Sequence, residues 1–369
     1  MKNFNYWKKL HESEKLEAFS QDKTGLLWLK IKSIARKELI AKFLKINEIE
    51  LNETALAKQF VELFDILCSD VANSNHVLDE FIKTENAKQA QALDTTQLVS
   101  ELYKLKNFDW GGDYQNSLDK YLVSRYVKVH KNFDTLISKF ETEINVAVQG
   151  YILNSWYNHW SSILIEHIFK SHSAVLPTVG QIKSVDFFIN DVPFDLKVTY
   201  LPTEYIKAKR KEKEFPVELT FLKKKAEEVK IVFDKKAKPA DIFYEIVEKM
   251  KDRNDTFCID VLATLKNEKL LILKEVQDNP KMLATWLYEN QGEMRFGSEN
   301  RLFLVLVDTD DFGNSWKLKK RNLDLLRPTI LDYLENFKNK KIDDLKVSFE
   351  FKGKPQTFTA LTDIIFVVK

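Results

Sequence analysis

The sequence predicts a mixed α/β (α+β) protein, with a helical N-terminal region over residues 1–145 and interleaved strands and helices over 146–369. Three observations lead there. Apolar residues recur at helical spacing through most of the first 145 positions. A short hairpin pattern, Val185 to Lys197, surrounds Asn190-Asp191. Arg301 to Asp308 is almost unbroken apolar sequence, as in a strand buried on both faces. A chain of 369 residues, 44% hydrophobic and 30% charged, has the make-up of a globular protein and room for two domains, divided near residue 145.

Taken in order, Thr24–Phe43 places Leu26, Leu27, Leu29, Ile31, Ile34, Leu39 and Ile40 among lysines and glutamates, an amphipathic helical pattern. Thr54–Cys68 repeats it, with Asn52 as the expected N-cap. Helices are also expected over 75–85, 96–104 and 117–128, the last two separated by a turn at Asp109-Trp110-Gly111-Gly112-Asp113. Tyr151–Phe169 lacks Gly and Pro and reads as a further helix, after which Pro177, Thr178 and Gly180 punctuate the chain. Beyond residue 238, helices are predicted over 239–251, 281–291 and 328–337, with Pro328 in the first turn of the last. Strands are predicted over 257–262 and 301–308, and a closing hairpin pairs 346–351 with 357–368. No internal repeat or low-complexity tract appears.

The hairpin carries the chemistry. With Asn190-Asp191 as a two-residue loop, Ile189 faces Val192, Phe188 faces Pro193, Phe187 faces Phe194 and Asp186 faces Asp195. Side chains alternate across a strand, so Phe187, Ile189, Val192, Phe194, Leu196 and Val198 share an apolar face. Ser184, Asp186, Asp195, Lys197 and Thr199 share the other. Two carboxylates directly opposite repel, and a hard divalent cation removes the penalty. Two acids and a nearby ammonium are also what metal-assisted phosphodiester hydrolysis needs: the metal polarises phosphate and water, and the ammonium steadies the attacking water or the developing charge. On the preceding helix, Ser155, His159, Ser162 and Glu166 form one polar stripe at three- and four-residue spacing, beside Trp156, Trp160, Ile163 and Leu164.

Asp186, then Asp195-Leu196-Lys197 after a short hairpin, with Glu166 on a helix just upstream, resembles the active-site pattern of the PD-(D/E)xK nuclease superfamily, and most of all a type II restriction endonuclease. Val185 stands where the superfamily's name places Pro. The resemblance implies a restriction-endonuclease-like mixed sheet flanked by helices over 146–369, and a Mg²⁺-dependent DNA endonuclease leaving 5′-phosphate ends. Asp186, Asp195 and the main-chain carbonyl of Leu196 would hold the metal, with Mn²⁺ as a substitute. Lys197 would act on the nucleophilic water, and Glu166 would ligate a second metal or its water, or position the lysine. Gln291 and His159 are accessory candidates, with capping and a structural histidine as the plainer readings. The partners implied are double-stranded DNA, a second copy of the chain for symmetric cutting, and a cognate DNA methyltransferase of a restriction-modification system.

Charge fits a nucleic-acid partner locally, although the net charge is only +2. Residues 200–240 hold twelve Lys/Arg against seven Asp/Glu, including Lys207, Lys209, Arg210 and Lys211, which are expected to contact a phosphate backbone. A second basic run covers 317–322. The front helices would serve recognition, dimerisation or support. Alternatives from other classes are a phage-defence or repair nuclease without fixed sequence, and a non-enzymatic binding module. No phosphate-cradling glycine loop or Gly-x-Ser-x-Gly elbow occurs, which argues against a nucleotide-driven motor and a serine hydrolase. No run is apolar enough to span a membrane, the start lacks a secretion signal, and Cys68 and Cys258 form no disulfide or zinc spacing, so a cytoplasmic protein is expected.

Overall fold

A computed structural model describes residues 2–105, 118–180, 182–291, 297–321 and 323–369. The expected turn at 109–113 lies outside them. Helices of eight or more residues are numbered here. In the front region these are α1 (Phe4–Glu12), α2 (Lys23–Ser33), α3 (Lys37–Ile46), α4 (Leu56–Leu67), α5 (Val71–Gln91) and α6 (Thr95–Leu102). The long helix α7 (Asn145–Lys170) leads into strands β1 (Val175–Pro177), β2 (Phe187–Ile189) and β3 (Val192–Tyr200). Then come α8 (Thr203–Glu212), α9 (Glu218–Glu228), α10 (Pro239–Arg253), α11 (Thr256–Asp278) and α12 (Pro280–Glu289). Strand β4 (Arg301–Val307), helix α13 (Leu323–Asn336) and the hairpin β5 (Lys346–Phe351) and β6 (Lys354–Val368) complete the chain.

The six strands form one mixed sheet in the order β1-β2-β3-β4-β6-β5. β1, β2 and β3 are antiparallel neighbours, β3-β4 and β4-β6 are parallel, and β5-β6 is antiparallel. β4 has the both-faces burial its sequence demands. Leu302, Leu304 and Leu306 join α7 and α13 in one core layer, whereas Phe303, Val305 and Val307 join α8, α11 and α12 in the other. The hairpin's expected apolar face, Phe187 to Val198, lies in the first of these layers. Asn190 and Asp191 both take positive φ, 47° and 66°, the conformation a two-residue type I′ loop needs. Between β3 and β4, helices α9, α10 and the first half of α11 close around their own small core, centred on Ile246, Met250 and Cys258.

The front helices are not a free-standing unit. Their core, built on Trp7, Trp28, Phe43 and Phe64, also takes in Leu176, Val179, Val185 and Phe188 from around β1 and β2. Lys23 and the buried Lys30 pair with Asp191 at the hairpin tip, at 2.5 and 3.7 Å. The expected single helix over 24–43 is two, broken at Ile34–Arg36. The break leaves the Ser33 carbonyl to accept the Gly180 N–H at 2.6 Å, and a Cβ at Gly180 would lie 2.5 Å from that oxygen. Asn52 does not cap a helix; its backbone and side-chain N–H groups bind Glu62 at 2.9 and 2.8 Å, and α4 starts after Ala55.

Phe257–Leu262, expected as a strand, is the opening of α11. Asp255 caps it by accepting the Cys258 N–H at 2.8 Å, and Cys258, Val261 and Leu265 are buried at helical spacing. Its apolar run was too short for periodicity to decide between the two states. Helix α13 starts at Leu323, so Pro328 sits inside it rather than in the first turn. The closing hairpin turns tightly through Gly353, whose φ of 87° suits glycine, so β6 starts at Lys354 rather than Thr357. Among the described residues no helix is long and apolar enough to cross a membrane, and both cysteines are free.

Candidate active site

β3 changes partner in the middle of the candidate site. Residues 192–194 pair with β2, whereas 195–200 pair with β4. At the switch, the Asp186 N–H donates to the Phe194 carbonyl at 2.8 Å, although Phe194 is already the partner of Phe187. Two residues of one strand thus meet one of the other, a β-bulge arrangement that re-aims a side chain. The expected face-to-face opposition of Asp186 and Asp195 is therefore replaced by an offset. Asp186 turns its Oδ2 to the edge of β3, where it accepts the Leu196 N–H at 2.8 Å. Thr178 fixes the bulge from behind by donating its N–H and hydroxyl to the Asp186 carbonyl, at 3.1 and 3.0 Å.

Asp195 starts the parallel ladder, its N–H donating to the Asn300 carbonyl at 3.0 Å. Its Oδ1 accepts from Lys197 Nζ at 2.7 Å. Its Oδ2 is buried without a hydrogen bond, 3.4 Å from Arg301 Nε. Lys197, 38% exposed, is the part of this group that opens to solvent. Glu166 faces the bulge from α7 and pairs with Lys170 one turn on, at 2.7 Å. Burial pushes the Asp186 carboxyl above the usual carboxylate range, the Glu166 charge adds to this, and the Leu196 N–H, Lys170 and Lys197 oppose it. Burial likewise pushes Asp195 up; Lys197 and Arg301 pull it down, and the Asp186 charge pushes it further up.

Sequence reading missed the support beneath the acids. Arg301, 2% exposed, stands beside Asp195 in the β3-β4 register and donates from Nη2 to Glu299 Oε2 at 2.8 Å. The other Glu299 oxygen accepts from the Ser184 hydroxyl, two residues before Asp186. Asn300 donates to the Pro193 carbonyl at 3.2 Å and accepts from the Leu361 N–H at 3.0 Å, joining β3, β4 and β6. A charged residue opening an apolar strand was the one available signal for Arg301, and only the strand register links it to Asp195.

The remaining candidates lie elsewhere or are committed. Gln291 is buried, its amide donating to the carbonyls of Tyr288 and Gly297 at 2.8 and 3.2 Å, so it ties the end of α12 to Gly297. His159 is exposed, edge-on to Trp160 at 5.0 Å. Seven residues before Glu166, it is about 10 Å away along α7 at 1.5 Å per residue. Lys209 and Arg210 face inward. Lys209 meets Glu212 and Glu275 at 2.7 and 3.2 Å, and Arg210 meets Glu268 at 2.6 Å. Lys207, paired with Glu204 at 2.7 Å, and Lys211 are on the exposed side of α8.

Whether this group suits Mg²⁺ is a question of donors. Among the described residues no three His, Cys, Asp or Glu side chains are gathered closely enough to hold an ion by themselves. Asp186 and Asp195 supply two hard carboxylates, one with a buried oxygen lacking a hydrogen bond. The N–H and carbonyl of a strand residue point to the same edge, so the Leu196 carbonyl faces the edge that Asp186 occupies. Mg²⁺ is commonly held by one or two carboxylates with water and substrate phosphate, and this donor set fits it. No protein-family model matches the chain, and no curated protein or solved structure matches it either.

Proposed function

We propose that this protein is a Mg²⁺-dependent endonuclease hydrolysing phosphodiester bonds of double-stranded DNA, of the PD-(D/E)xK kind and most similar to a sequence-specific type II restriction enzyme. The observation that carries the reading is the pair of acids, half-buried Asp186 and buried Asp195, linked through Leu196, with the Lys197 ammonium bound to one of them on the open side. The order of elements supports it: helix with Glu166, bulged strand with Asp186, strand with Asp195-Leu196-Lys197, then a parallel strand reached through helices.

Asp186, Asp195 and the Leu196 carbonyl would hold Mg²⁺, with Mn²⁺ as its substitute. Bound there, the ion supplies Lewis-acid polarisation of phosphate and lowers the pKa of water. Asp195 holds the Lys197 ammonium where it can orient the attacking water and balance negative charge growing on phosphorus. Arg301, beneath Asp195, favours its ionised form against the burial that opposes it. Glu166, paired with Lys170, borders the bulge, and its charge biases Asp186. Water oxygen bonds to phosphorus, the bond to the 3′ oxygen breaks, and that oxygen leaves with a proton, giving 5′-phosphate and 3′-hydroxyl ends. Cutting both strands symmetrically takes two such sites, so the proposed active form is a homodimer.

The test is digestion of plasmid and phage DNA with Mg²⁺ or EDTA by wild type, Lys197→Ala and Asp195→Asn. Cleavage that needs Mg²⁺ and disappears in both variants, each folded as judged by melting, is expected. Undiminished cutting by purified Lys197→Ala, or cutting in EDTA, contradicts the assignment. Discrete bands support a restriction enzyme, a smear a nuclease without fixed sequence.

A further inference from the structure

The second basic run holds a cation that the site above does not use. Five Lys and Arg side chains are buried among the described residues: Lys30, Lys209, Arg210, Arg301 and Lys319. Four of them meet carboxylates, Lys30 through Asp79 at 2.6 Å and the others as described above. Lys319 has no carboxylate within 4.0 Å among the described residues. Its ammonium donates to Asn158 Oδ1 at 3.3 Å and lies 5.7 Å from the centre of the Tyr200 ring. Burial pushes its pKa down to about 8.

An ammonium taken from water without a counter-charge is a standing cost to the fold. Among the described residues the ammonium meets one neutral acceptor, Asn158, and the aromatic face of Tyr200, and no counter-charge. Asn158, the acceptor of this ammonium, is itself exposed on α7. The segment is also held firmly, with the Tyr157 hydroxyl donating to the Trp316 carbonyl at 3.4 Å. One element of the candidate site leads to this place: Asn158 is eight residues before Glu166 on α7, about 12 Å along a helix. The Tyr200 ring lies on the same α7 side of the sheet, whereas Lys197 points to the other face. At about 3.4 Å of rise per nucleotide, the separation along α7 is some three to four nucleotides of duplex.

We propose that Lys319, presented beside Asn158, binds a backbone phosphate of the DNA three to four nucleotides from the bond that is cut. The proposal rests on the nuclease reading. An entering phosphate supplies the negative charge the protein withholds, and Asn158 can turn its amide to donate to the same oxyanion. Lys319 would then trade stability for affinity, as residues kept for binding often do.

The test combines melting with duplex binding over a NaCl series, in Ca²⁺ without Mg²⁺, for wild type, Lys319→Met and Asn158→Asp. Lys319→Met should melt higher than wild type yet bind DNA about tenfold more weakly, with the slope of log affinity against log salt reduced by about one. Asn158→Asp, which gives the ammonium an internal partner, should also stabilise the fold and weaken binding, and it serves if the methionine variant does not fold. Wild-type affinity and slope in a folded variant, or lower melting in Lys319→Met, overturns the proposal while leaving the nuclease reading in place. Wild type that neither binds nor cuts DNA overturns both.

Discussion

Around Lys209 and Arg210 the charges balance: Glu212 and Glu275 meet Lys209 and Lys213, and Glu268 and the more distant Glu218 meet Arg210 and Lys269. At the β2-β3 bulge the matching is incomplete. Glu166, Asp186, Asp195 and Glu299 face Lys170, Lys197 and Arg301, and both aspartates are pushed above their ordinary range. Both clusters looked functional from residue types alone. The difference teaches that compensation, rather than charge density, separates scaffold from site. A balanced buried cluster ties helices together, whereas an excess of acid marks a candidate site and, under the proposed function, the place where a cation would bind.

The contrast can be broken at several points. Asp195→Asn should reduce cleavage by about 10³-fold, the upper range for losing one preorganised electrostatic group, with melting close to wild type. Substantial residual activity would place the chemistry elsewhere. Arg210→Met should instead cost about 3–5 kcal/mol of unfolding free energy in a denaturant titration, the price of stranding buried acids, and leave the DNA affinity of the folded fraction unchanged. Arg301→Met should cost about as much, because it strands Asp195 and Glu299 together; Arg301→Met combined with Glu299→Gln should recover part of the loss.

Asp186→Asn gives a smaller effect of opposite sign. A carboxyl whose folded pKa is raised above the ordinary 3.8 keeps its proton in the fold at a pH where the unfolded chain has lost it. The ionised group is then a burden on the fold at neutral pH, relieved as pH falls through the raised value. Without metal, the asparagine variant should be the more stable at neutral pH, and the gap should close in acid toward 3.8. Melting of both proteins across pH checks this, and a gap that widens on acidification contradicts it. Smallest of all, Lys207→Ala and Lys211→Ala should change stability by no more than about 0.5 kcal/mol, as surface substitutions do.

Strong local signals in the sequence carried over well. The Asn190-Asp191 loop, the hairpin register up to Phe187-Phe194 and the doubly buried β4 follow from turn chemistry and period-two patterning. What was not legible depends on contacts between distant residues. The bulge that turns Asp186 toward Leu196 is held by Thr178, and Arg301 reaches Asp195 only because β4 lies parallel to β3 in that register. The inward direction of Lys209 and Arg210 is set by acids in α9 and α11, so their place in a basic run said little about their partners. Lys319 was legible as part of a basic run but not as a buried cation, since burial comes from its packing against α7 and β3.

The most direct test of the central claim is the melting temperature of metal-free protein titrated with Mg²⁺, for wild type and for Asp186→Asn combined with Asp195→Asn. The account predicts a rise with Mg²⁺ in wild type and a flat response in the double variant, as expected when an ion binds only the fold that presents both carboxylates. An equal rise in both proteins, or none in wild type, would contradict it.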